Sequence, residues 1–595
     1  MEKGIKGSDV YNASAIENPL VSLSALLTRG ADEMAIKKMV NYILSEPTQK
    51  DLEDLIVLAF QTRDIRGGKG ERDLSRYIFE VLLTHNEYFE LTLALLDLMP
   101  EYGCWQDLFK LASNTPLQTL STLERIVRNQ IEKDEDALKI RLNPIWGGEE
   151  LPKISLLAKW MPREGDKLAN EMASALFPGS MFHGTRMKLY RKKISALNKA
   201  INTVEVNMCG KDWSHIVPNN VPGRALNKYV KAFLNEKAPT KKWQFVHSGQ
   251  PRYPGDQDRV ACRENFKKHF SDIANGKLVA KGADTLFPHE VIKKAYNILE
   301  ESCNCQCDSD TTCDNHTECQ YLNGVWTSMV EAAKEGGGLG SSLAMCDFSG
   351  SMHSGASGDT PYWVSMALGL LISEVTTNEF KNTFLTFDSM PRLHKLPDTK
   401  DLFTKLRSFN PRSMSQGTST DFQKAMDLVL EQCKASRVKP GDEPERLIVL
   451  TDMGWDQACG SSECSGYTGN QYRHVVKTDK WQTHIEMIRE SFKRAGEDMW
   501  GIAWKMPTIV IWNIAASCKD FHAKSDTEGV IMLSGWSPSL FKILQTEGVI
   551  SPEKALDAQL DNGRYDPVRI RIREFYAREG IVLRTPSKTS LVDLY

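Results

Sequence analysis

Between residues 18 and 300, apolar side chains recur at i, i+3 and i+4, the spacing that lines one face of an α-helix. The pattern predicts helices over 35–44, 50–61, 74–84, 90–99, 105–112, 117–134, 226–234, 264–273 and 289–300, joined by short connections that carry Gly or Pro. Strand-like alternation is scarce, so successive helical hairpins predict a stacked α-helical repeat. The pattern breaks over 301–340, where an acidic, Cys-rich stretch precedes the Gly336-Gly337-Gly338 run.

Beyond that run the period changes. Apolar runs at 342–347, 383–387, 446–451, 508–514 and 529–534 predict strands. Helical segments at 363–376, 401–409, 421–432, 482–495 and 538–545 fall between or after them. Strands alternating with helices imply a doubly wound, mostly parallel α/β sheet, and near-continuous apolar strands imply burial on both faces. The expected division is 1–335, helical with a Cys-rich insert at 301–320, and 336–595, α/β. A protein beginning near 338 is expected to fold alone.

Composition adds little until charge is split by position. The whole chain is close to neutral, at −3, but residues 151–300 carry 26 Lys+Arg against 13 Asp+Glu. A basic block inside a neutral chain is the footprint of a polyanion partner. No apolar run is long enough to cross a bilayer, and no apolar leader core opens the chain, so no membrane partner and a cytoplasmic, reducing setting for the 13 cysteines are expected.

The most specific chemistry lies at the expected strand ends. The first strand runs into Asp347-Phe348-Ser349-Gly350-Ser351, a D-x-S-x-S loop. Thr418 lies in a G-T-S-T-D segment that opens a helix, and Asp452 follows Thr451 after another strand. Parallel α/β sheets bind ligands at the carboxyl ends of their strands, where strand order switches. Two carboxylates and three hydroxyls, with no imidazole or thiolate, suit Mg²⁺ or Mn²⁺. These residues resemble the metal-ion-dependent adhesion site (MIDAS) of von Willebrand factor A domains. The resemblance covers Asp347, Ser349, Ser351, Thr418 and Asp452. It implies direct or water-mediated contacts to the ion and an open position for a partner's carboxylate.

The two-part layout, a HEAT-like helical half followed by an A-type domain, resembles the Ro/TROVE ribonucleoprotein architecture. It is also similar to an uncharacterised two-part family of plants, fungi and large DNA viruses. The segments that carry the latter are Thr62–Arg72, Tyr102–Leu108, Ala158–Glu164 and Val221–Ala225. The Ro likeness implies RNA binding by analogy of architecture.

The basic block supplies candidate RNA contacts in two stretches. One holds Arg186, Lys188, Tyr190, Arg191, Lys192 and Lys193, and the other Lys241, Lys242 and Trp243. Cations would neutralise phosphates, and Tyr190 and Trp243 would stack on bases. Arg63, Arg66, Lys69 and Arg72, around Gly67-Gly68, lack phosphate-loop spacing and are expected to project to one side of a helix–helix turn. Cys303, Cys305, Cys307, Cys313, His316 and Cys319 are the right ligand types for Zn²⁺, at a spacing that fits no standard finger. No nucleophile elbow or paired-acid constellation stands out. The expected function is a non-catalytic RNA-binding ribonucleoprotein component with a Mg²⁺-binding A-type domain. The rivals are a protein–protein adaptor that captures an acidic side chain at the metal, and a structural or assembly component such as part of a virus particle.

Overall fold

The structure, a computed structural model, describes residues 2–3, 9–10, 17–143, 151–179, 182–236, 251–303, 317–335, 338–353, 360–388, 390–409, 422–453, 481–516, 523–546 and 551–580. Among the described residues the first half is helical, apart from two short antiparallel strands, β1 (Glu2–Lys3) and β2 (Asp9–Val10). Helix Gln49–Arg63 shows how its sequence sets its place. Thr48 and Asp51 form a capping box that fixes its start. From Leu52 to Thr62 every side chain is buried, so this helix is surrounded by others.

Among its described residues the second half is built on six strands: β3 (Ser342–Asp347), β4 (Thr383–Phe387), β5 (Leu393–Lys395), β6 (Arg446–Thr451), β7 (Thr508–Asn513) and β8 (Val530–Ser534). Their order is β5-β4-β3-β6-β7-β8, parallel except for β5, which pairs antiparallel at one edge. Successive residues of each strand point to opposite faces. Leu343, Met345, Leu447, Val449, Ile509 and Ile511 join one apolar cluster, whereas Ala344, Cys346, Ile448, Leu450, Val510 and Trp512 join another. Helices Phe422–Ala435 and Trp481–Trp500 contribute to the first cluster, and helix Pro361–Val375 to the second.

Neither cluster stops at the glycine run. The first continues through helical residues between Leu20 and Leu197, the second through residues between Val204 and Val330. The stretch expected to be a break contains helix Thr317–Glu335, which buries Tyr321, Leu322, Val325 and Trp326. Trp326 Nε1 donates to Glu374 Oε1 at 2.8 Å, and the same carboxylate pairs with the buried Lys405 at 2.6 Å. Satisfying both oxygens offsets the cost of burying the charges.

The chain then returns to its beginning. Helices Pro552–Leu560 and Asp566–Glu579, absent from the sequence expectation, pack on helix Gln49–Arg63. Arg569 meets Asp54 at 2.7 Å, Arg573 meets Glu53 at 3.0 Å, and Arg564 holds Asp64. These arginines neutralise acids that the buried helix presents.

The Thr62–Arg72 turn also corrects its expectation. Arg63 and Arg72 pair with Asp107, Arg66 is exposed, and Lys69 is fully buried. Lys69 Nζ donates to the carbonyls of Ser24 (2.6 Å) and Leu27 (3.4 Å) and to Ser534 Oγ (2.6 Å), so it ties the end of helix Pro19–Leu26 to the end of β8. The tight return requires Gly68, where a Cβ would lie 1.8 Å from the Gln61 carbonyl oxygen.

Candidate functional site

The sheet changes direction between β3 and β6: from β3 the chain moves to β4 on one side, and from β6 to β7 on the other. The carboxyl ends of these two neighbours are the edge at which such sheets bind ligands. Asp347 is the last residue of β3, and Asp452 follows the last residue of β6. Asp347, Ser349 and Asp452 are all buried, at 0 %, 1 % and 2 % exposure.

Local hydrogen bonds shape the D-x-S-x-S loop. The Ser349 amide donates to Asp347 Oδ1 at 2.8 Å, turning the chain back over its own carboxylate. The hydroxyls of Ser349 and Ser351 lie 3.1 Å apart, so they share one small space. Below them, the turn Gly350–His353 is clamped by aromatic packing: Phe348 and His353 both lie against Tyr362, at 5.3 and 4.4 Å. Tyr362 sits at the start of helix Pro361–Val375, so that helix positions the loop.

Sequence reasoning missed two residues here. Thr451 Oγ1 donates to Asp347 Oδ2 at 3.1 Å, linking the two strand ends. The Thr-Asp pair is visible in the sequence, but the reach of its hydroxyl to Asp347 depends on how β3 and β6 pair. Asp388 follows Phe387, which pairs with Asp347 across the sheet. Burial raises the pKa of Asp388, opposed by the Met390 amide and the nearby Arg392. After Asp452, Met453 holds a left-handed backbone at φ 65°, which costs about 1–2 kcal/mol in a non-glycine residue.

The donors fit a hard divalent cation. Two buried carboxylates on adjacent strand ends repel unless a positive charge lies between or near them, and the accompanying hydroxyls are neutral oxygen ligands. Thr418 lies outside the described residues. Among the described residues no cluster of three or more His, Cys, Asp or Glu forms a metal cage, so any ion here relies on hydroxyls and water as well as acids.

The basic run lies on helix His183–Ile201. Lys188 and Lys192 are exposed. Arg191 pairs with Glu164 at 2.6 Å, Lys193 with Glu135 at 2.8 Å, and Arg186 donates to Ser174 Oγ at 2.5 Å. Tyr190 corrects its expectation. It is 2 % exposed, and its hydroxyl donates to the Pro162 carbonyl, so its ring is part of the core and not a stacking platform. Lys241, Lys242 and Trp243 lie outside the described residues. So do Cys305, Cys307, Cys313 and His316 of the expected zinc set, as does the side chain of Cys303. Cys319 is fully buried in helix Thr317–Glu335, within the second apolar cluster.

The fold and this edge define a two-part protein: a helical half followed by a mixed α/β sheet with oxygen-bearing side chains at its switch point. Residues 341–573 match the family model described as "Domain of unknown function (DUF7788)". The chain is also 25 % identical over 582 residues to "Uncharacterized protein L728" of Acanthamoeba polyphaga mimivirus, covering 95 % of this chain and 88 % of that protein. Both findings fit an uncharacterised family that includes large DNA viruses. Among the described residues no helix is long and apolar enough to cross a membrane.

Proposed function

We propose that the protein is a non-catalytic, divalent-cation-dependent binding protein. In this reading the α/β half is von Willebrand factor A-like, and its switch-point edge holds Mg²⁺ or Mn²⁺ through Asp347, Ser349, Ser351 and Asp452, with Thr418 completing the set. The bound ion would supply a Lewis-acidic position for a carboxylate oxygen of an acidic protein partner. One observation carries the reading: the neighbouring ends of β3 and β6, at the reversal of strand order, hold two buried carboxylates, Asp347 and Asp452, and the paired hydroxyls of Ser349 and Ser351. The strand order supports the A-type likeness, since counting from β3 it follows the 3-2-1-4-5-6 doubly wound pattern.

The test is calorimetric titration of the full chain with Mg²⁺ and Mn²⁺. Binding is expected, with a stability gain of about 2.7 kcal/mol when free metal is ~100-fold above the dissociation constant. Asp347→Ala and Asp452→Ala should each abolish both heat and gain. No binding heat in the folded wild-type protein at millimolar metal would overturn the reading.

A second reading, an RNA-binding ribonucleoprotein component with a TROVE-like helical scaffold, is favoured by the net positive charge of residues 151–300. Exposed Lys188 and Lys192 support it, whereas the carboxylate partners of Arg191 and Lys193 reduce the charge on offer. A virion or other assembly role is compatible with either.

A further inference from the structure

The Ala158–Glu164 segment, singled out by its sequence and unused by the metal edge, lines a groove of about 510 Å³ in the helical half. Helices His183–Ile201 and Val204–Gly210 form the remaining walls. The groove is braced through its backbone. Tyr190 Oη donates to the Pro162 carbonyl at 2.7 Å, and Asn198 Nδ2 donates to the Ala158 carbonyl at 2.8 Å. Both anchoring side chains come from one helix, so the segment is held as a wall. A volume near 500 Å³ falls in the range of small-ligand sites.

The lining charges are mixed in an informative way. Lys159 pairs with Glu205 at 3.0 Å, and Arg191 with Glu164 at 2.6 Å. Arg163, exposed on the same segment, has no carboxylate within 4 Å of its guanidinium among the described residues; Nη2 donates to the Lys159 carbonyl at 3.3 Å. The groove therefore offers a guanidinium to an anion, flanked by two further cations. It also offers two carboxylates that repel a bare anion but accept from amino or hydroxyl donors. A ligand that suits both parts carries a phosphate and N–H or O–H donors on one compact body.

We propose that this groove is a nucleotide site, with the phosphate on Arg163 and the base or sugar donors facing Glu164 and Glu205. The nucleotide is either a free nucleoside monophosphate or one unit of a single-stranded RNA. Exposed Lys188, Lys192 and Lys199 lie along the same helix as Arg191 and would extend the contacts of a strand. The proposal is independent of the metal edge.

Cys209 lies on the groove and is exposed, so it reports occupancy. The full-length chain is alkylated with iodoacetamide, and the Cys209 peptide is followed by mass spectrometry. Adenosine and cytidine monophosphate, a short mixed-sequence RNA, inorganic phosphate and a glutamate-rich peptide are added in turn. A free probe at about twice its dissociation constant should slow labelling about threefold. Protection by the monophosphates identifies a free nucleotide, and protection by the RNA alone identifies a strand. Arg163→Ala, at an exposed position, should remove the protection, and Arg163→Lys should retain part of it. Three results would each overturn the proposal: no protection by any nucleotide or RNA, equal protection by inorganic phosphate or the acidic peptide, or full protection in a folded Arg163→Ala protein.

Discussion

Lys69 is the residue whose role departs furthest from its type, since lysines are almost never fully buried. Burial pushes its ammonium down to about 7, with Glu71 opposing the shift. An unfolded lysine keeps its proton to about 10.4. Between those values the unfolded chain binds the extra proton, so the Lys69 contribution to stability rises with pH across that window. Lys69→Met should lose the bonds to Ser24, Leu27 and Ser534 and cost about 1–3 kcal/mol. The melting difference between wild type and Lys69→Met should widen from pH 7 to pH 9.5, values chosen to lie roughly within that window. A constant difference would show that the amine stays charged in the folded state. Residues of this kind are illegible in sequence because their burial depends on elements hundreds of positions away. The placement of Asp347 and Asp452 at strand ends is legible for the opposite reason: the apolar strands beside them fix which end of the sheet they occupy. Tyr190 lay between these cases, because a basic helix shows its charged positions in sequence but not which face meets another helix.

At the scale of elements, the strands of the α/β half follow the sequence closely, and β3, β4 and β6 have the expected bounds. Long apolar runs admit few alternatives once both faces are buried. The edge strand β5 escaped notice because it has three residues and no buried one. Helices Pro552–Leu560 and Asp566–Glu579 do carry a signal, since Leu556 and Leu560, then Val568, Ile572 and Tyr576, recur at a spacing of four and join the first apolar cluster, but the charged residues between them dilute it. The helix covering β3 shows how tightly such elements fit. A Cβ on Gly369 of helix Pro361–Val375 would stand 2.2 Å from Cys346 Sγ. Gly369→Ala should therefore force helix and strand apart, costing about 1–3 kcal/mol. Adding Cys346→Ala should recover much of that loss, because it removes the opposing sulfur. Chemical denaturation of the two single variants and the double variant measures the coupling, and strictly additive losses would mean the strain lies elsewhere.

For the whole molecule, the glycine run marks a change of local pattern, while the two apolar clusters continue through the residues on either side of it. Helices Pro19–Leu26 and Pro552–Leu560 both pack on β8, and the Glu374–Lys405 pair reaches Trp326 across the same boundary. The expectation that residues 338–595 fold alone is therefore replaced by another. Residues 1–335 and 338–595 expressed separately should be insoluble or loosely packed, and together they should form a soluble complex. Size-exclusion chromatography with circular dichroism decides this: a monomeric, cooperatively melting 338–595 would make the α/β half self-sufficient.

The return of helix Asp566–Glu579 to helix Gln49–Arg63 has a consequence in time. Arg564 meets Asp64 across 500 residues of chain, and Arg573 meets Glu53 across 520. At roughly 5–20 residues per second, a ribosome takes about 25–100 s to make that interval. Throughout it, a helix destined to be enclosed on every side stands without its final cover, and its acids without their arginines. Newly made chains should thus depend on holding factors until synthesis is nearly complete, and a stop shortly before residue 552 should be worse tolerated than its modest length suggests.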